Sequence, residues 1–131
     1  MLIDKIALIK IKNGKVLSTK SKGKKNYYFP GGKREHGESD KQTLVREIRE
    51  ELCVEIIPDT YSYIGTFEAQ ADAMDEGVIV KMTCYSADFD GTLKPNNEIE
   101  KIKWLKYADI GAVSEVDKLI FEFLKSNGRL K

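Results

Sequence analysis

Apolar positions along this chain fall into short dense runs and two longer stretches of helical period. Lys5 to Lys12 carries Ile6, Ala7, Leu8, Ile9 and Ile11 almost without interruption, the pattern of a strand inside a sheet. Asn13-Gly14 is a hairpin turn signal, with Val16-Leu17-Ser18 as the return strand. Ser21 to Asn26 is polar and predicts a flexible connection. Tyr27-Tyr28-Phe29 then predicts a short aromatic strand stopped by Pro30-Gly31-Gly32. From Ser39 to Cys53 the period becomes helical: Leu44, Val45, Ile48 and Leu52 form a stripe, and Ser39 or Asp40 supplies the cap.

Ile56-Ile57, Tyr61 to Ala69, Val78 to Phe89 and Ile99 to Leu105 read as further strands. An acidic loop from Asp72 to Gly77 joins the middle two, and Asp90-Gly91 is a turn. A closing helix is predicted over Ser114 to Ser126, with Ser114 and Asp117 at capping-box spacing and Gly128 just past its end. Its expected buried stripe is Val116, Leu119, Ile120, Phe123 and Leu124. This order predicts a single α/β domain over residues 1–131, a mixed β-sheet flanked by helices.

Charge narrows the partners. With 22 basic against 21 acidic residues the net charge is +1, so bulk electrostatics predict no nucleic-acid and no membrane partner. Lys10, Lys12, Lys15, Lys20, Lys22, Lys24 and Lys25 nevertheless crowd the first quarter of the chain, as a solvated hairpin or as a guide for a polyanionic small molecule. Cys53 and Cys84 lack metal-type spacing and fit a reduced, cytoplasmic protein. The N-terminus has no signal-peptide layout, and no apolar run approaches a membrane span.

The candidate chemistry lies on the first helix. Glu47, Glu50 and Glu51 share a face, their mean direction roughly 120° from the apolar stripe. The carboxylates therefore flank the buried side. Clustered carboxylates attract a hard divalent cation, although this run taken alone reads first as a solvated helix face. Pro30-Gly31-Gly32 adds a turn where a backbone carbonyl can reach a metal and no side chain blocks a phosphate. Glu38, just before the helix, can pair with Arg46 or support a metal from outside.

Taken together, Gly32, Glu38, Arg46, Glu47, Ile48, Glu50, Glu51 and Val54 resemble the Nudix box, G-x5-E-x7-R-E-U-x-E-E-x-G-U, where U is a bulky aliphatic. One position departs: Cys53 stands where the box has a glycine that ends the helix. The resemblance implies a Nudix-type α/β/α sandwich that hydrolyses a nucleoside diphosphate linked to another group. It also implies Mg²⁺ or Mn²⁺ held by Glu47, Glu50, Glu51 and the Gly31 carbonyl, with Glu38 a further ligand, directly or through water. Arg46 would orient the glutamates. The general base would be a box glutamate or one from a later loop. Pro95-Asn96-Asn97-Glu98-Ile99-Glu100 offers Glu98, in a turn mobile enough to swing over a diphosphate, and Glu100, two residues on and on the same strand face.

Substrate contacts are less legible. Gly32, Tyr28, Phe29 and Lys25 are the expected binding residues, while Tyr27, Phe67 and Tyr85 are as well explained by core packing. His36 is expected in a solvated loop and Trp104 in the core. The resemblance extends to the MutT-like subset and implies a nucleoside triphosphate pyrophosphohydrolase releasing a monophosphate and pyrophosphate, in some members on oxidised nucleotides. Hydrolysis of ADP-ribose or another nucleoside diphosphate sugar, and a catalytically silent nucleotide-binding module, are the alternatives. A monomer or homodimer is expected.

Overall fold

The computed structural model describes residues 1–71 and 77–131; most of the acidic loop expected from Asp72 to Gly77 lies outside them. The chain folds as β1 (Leu2–Leu8), β2 (Ile11–Lys12), β3 (Lys15–Ser21), β4 (Gly31–Lys33), α1 (Asp40–Leu52), β5 (Glu55–Ile56), β6 (Ser62–Gln70), β7 (Ile79–Ser86), β8 (Phe89–Asp90), β9 (Ile99–Leu105), a 3₁₀ turn (Tyr107–Ala112) and α2 (Glu115–Ser126). The main sheet runs β4-β1-β7-β6, with β1 and β7 parallel and the other neighbours antiparallel. A second sheet runs β2-β3-β9, and β5 pairs with β8.

The expected Lys5–Lys12 strand is two strands. β1 begins at Leu2 and ends at Leu8; Ile9 N–H still donates to Tyr85 of the main sheet, while the Lys10 carbonyl accepts from Leu17 in the second. The chain thus passes from one sheet to the other at Ile9-Lys10. Asn13 (φ 54°) and Gly14 (φ 76°) make the two-residue hairpin turn read from the sequence.

The aromatic run is not a strand. Tyr27 and Tyr28 make single bridges to Val113 and Thr19, and the Phe29 N–H donates to the Asp117 carboxylate at 2.8 Å instead of to a neighbouring strand. Strand pairing resumes at Gly31–Lys33, against Ala7, Ile6 and Lys5. Only glycine serves at Gly31: φ is +143° and a Cβ would stand 2.0 Å from the Ile6 carbonyl oxygen.

Alternation along β1 divides the core. Ile6 and Leu8 pack with Leu44, Ile48 and Leu52 of α1, whereas Ala7 and Ile9 pack with Val116, Ile120, Phe121 and Leu124 of α2. Helices therefore cover opposite sides of the β-layer, the expected α/β/α arrangement. Ser39 caps α1 in a reciprocal box with Gln42; Asp40, the other candidate cap, instead accepts from Arg34 and Tyr85. The α2 stripe is rotated from expectation. Leu119 is exposed, Phe121 is buried, and so is Asp117, whose backbone N–H caps onto Ser114 while its carboxylate turns inward to Phe29.

Candidate active site

A cleft of about 460 Å³ opens between β1, β4 and the second half of α1. Gly31, Gly32, Glu47, Glu51 and Glu98 line it together with Lys5, Tyr28, Ala71, Val80 and Met82. Gly32 is the close approach that admits the helix carboxylate, since a Cβ there would lie 2.5 Å from Glu47 Cδ.

Arg46 organises the acidic side. Its Nε and Nη2 donate to the two Glu38 oxygens at 2.7 and 2.9 Å, Nη1 to Glu47 Oε1 at 2.8 Å, and Nη2 also to the Lys33 carbonyl at 3.0 Å. Glu38 accepts in addition from the Glu35 N–H and the Thr43 hydroxyl, so it ties the box loop to the helix. The Arg46 guanidinium and these donors hold the Glu38 carboxyl down at about 2. Both its oxygens face Arg46 and neither lines the cleft.

Glu51 is buried, and its Oε1 accepts from the Gly31 N–H at 2.9 Å. Burial pushes its pKa up to about 8, with the charges of Glu47 and Glu98 adding to the rise and Gly31 opposing it. Burial also raises Glu47, against the pull of Arg46. Glu50 is turned outward and exposed, 3.4 Å from Arg46, so it does not share the cleft with Glu47 and Glu51. The acidic partner inside the cleft is Glu98.

Glu98 closes a turn that sits against the end of α1. The Glu51 and Leu52 carbonyls accept from the N–H groups of Asn96 and Lys94, and the Glu50 carbonyl accepts from Asn96 Nδ2 at 2.9 Å. These are the carbonyls a helix leaves unpaired at its C-terminus, so the turn is docked rather than swinging. Glu100 does not share the Glu98 face; it borders a separate groove with Ile102 and Trp104.

Of the expected binding residues, Tyr28 and Gly32 line the cleft. Phe29 touches its wall but belongs to the core, 5.8 Å from the Phe121 ring. Lys25 is exposed and outside the cleft, where Lys24 and Lys33 stand in its place. His36 is exposed, and Trp104 is only partly buried, on the sheet face toward α1. Sequence reasoning missed Lys5: it reads as one residue of a strand, and only the neighbouring β4 and β7 place it in a cleft.

A family model, the NUDIX domain, matches residues 2–125. The chain belongs to the Nudix family. It is similar to the CTP pyrophosphohydrolase of Escherichia coli K12, 32% identical over 108 residues that span 79% of this chain and 75% of that protein. Among solved structures it resembles the E. coli ORF135 protein, with 27% identity, TM-score 0.75 and coverage of 95% and 89% of the two chains. The fold is also that of MutT from Aliivibrio salmonicida and Vibrio cholerae, with TM-score 0.74 at 23% identity over 97% of this chain and 99% of that one. The protein is thus a Nudix hydrolase, an enzyme of pyrophosphate bonds.

Nudix hydrolases generally use divalent metal ions, and the chemistry of the donors suits one. Glu47 and Glu51 are carboxylates taken out of water beside the charge of Glu98, an arrangement that costs energy until a cation joins it. Among the described residues no three acidic, histidine or cysteine side chains yet converge at ligating distance, because Glu47 is turned to Arg46 and Glu51 to Gly31.

Proposed function

We propose that this Nudix hydrolase cleaves nucleoside triphosphates to a monophosphate and pyrophosphate with Mg²⁺ or Mn²⁺. The observation that carries the reading is the mixed lining of one cleft. Carboxylates and the Gly31-Gly32 pair suited to a metal and phosphates line it together with aromatic and aliphatic side chains suited to a base. Its volume of about 460 Å³ falls in the range of small-ligand sites. The similarity to a protein named CTP pyrophosphohydrolase supports a nucleoside triphosphate, and it puts pyrimidine nucleotides first in any panel.

Glu47 and Glu51, with the Gly31 carbonyl, would hold the cation, and Glu50 would join them only by turning in from its exposed position. When bound, the cation supplies charge neutralisation on the diphosphate and a more acidic water. Arg46 keeps Glu47 and Glu38 in place. Lys24 and Lys33 offer positive charge to the polyphosphate. Glu98, facing the cleft from its docked turn, takes the proton of the attacking water. Displacement at phosphorus then rests on position and electrostatics.

The test is a panel of nucleoside triphosphates, oxidised nucleotides and ADP-ribose with Mg²⁺, Mn²⁺ or chelator, with products identified. Monophosphate and pyrophosphate released only with metal, and lost in Glu51→Gln, is the expected result. Preferential cleavage of ADP-ribose selects the diphosphate-sugar alternative. Nucleotide binding without turnover of any compound selects the silent module.

A further inference from the structure

We propose that Lys5 selects the base of the nucleotide by donating to an exocyclic carbonyl oxygen. This deepens the triphosphate reading above and rests on it. Lys5 stands in the middle of β1, between Lys33 of β4 and Met82 of β7. Its ammonium lies 5.8 Å from the centroid of the Tyr28 ring. Among the described residues no carboxylate or hydrogen-bond acceptor pairs with it. Burial lowers its pKa, while the charges of Asp117 and Glu51 work the other way and those of Lys33 and Lys24 add to the fall. A cation so placed is short of acceptors, and a ligand that brings one is favoured.

Position decides which acceptor. Beside Lys5 and Tyr28, which line both, lies a recess of about 20 Å³ walled by Val80, Met82 and Val116 with Gln70 and Ser114 at its polar side, with room for about one water or one exocyclic group. Of the cleft lysines, Lys24 and Lys33 face only the larger space; Lys5 lines both the cleft and the recess. A triphosphate is too large and too strongly hydrated to enter a recess of that size. A base edge can enter it.

An ammonium has three donors and no acceptor. It therefore rewards the carbonyl oxygens of cytosine, uracil and guanine. Adenine has no exocyclic oxygen: the group it projects is an amino donor, and its acceptors are ring nitrogens set back from that edge. The substrate class is thus a nucleoside triphosphate whose base carries an exocyclic carbonyl, and ATP and ADP-ribose are disfavoured by the same contact.

The experiment measures kcat and KM for CTP, UTP, GTP, ATP and ADP-ribose with wild type, Lys5→Met and Lys5→Gln, and calorimetric binding of CMP and AMP without metal. Methionine keeps the apolar stem, and glutamine keeps an uncharged donor should the first variant fail to fold. Wild type should prefer the carbonyl bases and bind CMP more tightly than AMP. Lys5→Met should reduce the CTP:ATP ratio of kcat/KM by about 10- to 100-fold, the range for a lost charged hydrogen bond, with the change in KM. It should also erase the difference between CMP and AMP, with Lys5→Gln intermediate.

A uniform loss across all five compounds identifies a phosphate contact and overturns the proposal. So does an unchanged ratio, or a wild-type preference for ATP or ADP-ribose. Failure of wild type to hydrolyse any nucleoside triphosphate defeats the underlying reading, and the proposal with it.

Discussion

The Gly31 N–H donates to Glu51 Oε1 at 2.9 Å, tying the strand that follows the proline turn to a carboxyl buried on the helix. That bond is not enough to keep Glu51 ionised. Its pKa rises from an ordinary 4.5 to about 8, because burial and the charges of Glu47 and Glu98 outweigh one backbone donor.

The metal-free protein should accordingly lose stability between pH 4.5 and 8. In that window the folded carboxyl keeps a proton that the unfolded chain has released, so the folded state binds more protons and destabilises as pH rises. The contribution is on the order of a few kcal/mol at most. Glu38, held near 2, acts only in more acid solution: its stabilisation is lost as pH falls below the ordinary carboxylate range. Thermal melts in chelator should show wild type falling more steeply toward pH 8 than Glu51→Gln, which keeps an acceptor for Gly31. Saturating Mg²⁺ should flatten the wild-type curve alone. Parallel curves would place Glu51 in water.

Gly31 and Gly32 should fail differently. A Cβ at Gly31 meets backbone at 2.0 Å with φ at +143°, whereas the atoms nearest a Cβ at Gly32 are those of the Glu47 carboxylate end, from 2.5 Å. Gly31→Ala should destabilise by about 3 kcal/mol or more, or fail to fold. Gly32→Ala should fold with little loss but displace Glu47, lowering turnover by about 10²-fold. Denaturant unfolding beside steady-state rates distinguishes them; equal stability losses would defeat the distinction.

Cys53 caps α1 in the left-handed conformation, φ 60° and ψ 29°, with its N–H on the Arg49 carbonyl. A side chain costs energy there and glycine does not, so Cys53→Gly should stabilise the protein by about 1 kcal/mol and leave turnover largely intact. Loss of activity in a folded Cys53→Ser or Cys53→Gly variant would reveal a chemical role for the thiol.

Local periodicity made most of the frame legible: α1 with its cap at Ser39 or Asp40, the Asn13-Gly14 hairpin and the dense apolar run that puts the first strand inside the sheet. What escaped it depends on contacts across the fold. A charged residue at Asp117 reads as solvent-facing, yet its carboxylate is needed by the Phe29 N–H, and burying it turns the α2 stripe from Leu119 to Phe121. The same bond withdraws Phe29 from strand pairing. On α1, helical spacing put Glu47, Glu50 and Glu51 on one face, but the cleft lies off the centre of that face and takes two of them. Lys5 enters the site only because β4 and β7 flank β1.

A base must reach the attacking water, and its loss lowers kcat more than substrate binding. Glu98 faces the cleft near Glu47 and Glu51, on a turn fastened to the end of α1 through Asn96, and Asn97 at φ 51° directs the chain from that turn toward β9. Glu100 borders another groove with Trp104. Glu98→Gln should therefore lower kcat by roughly 10²- to 10⁴-fold at saturating metal and substrate, with Glu100→Gln near wild type. Because the turn is docked rather than mobile, Asn96→Ala should also lower kcat while Glu98 remains, by releasing the carboxylate from its place. Wild-type kcat in Glu98→Gln would return the role to a glutamate of the helix, of which Glu47 and Glu51 line the cleft.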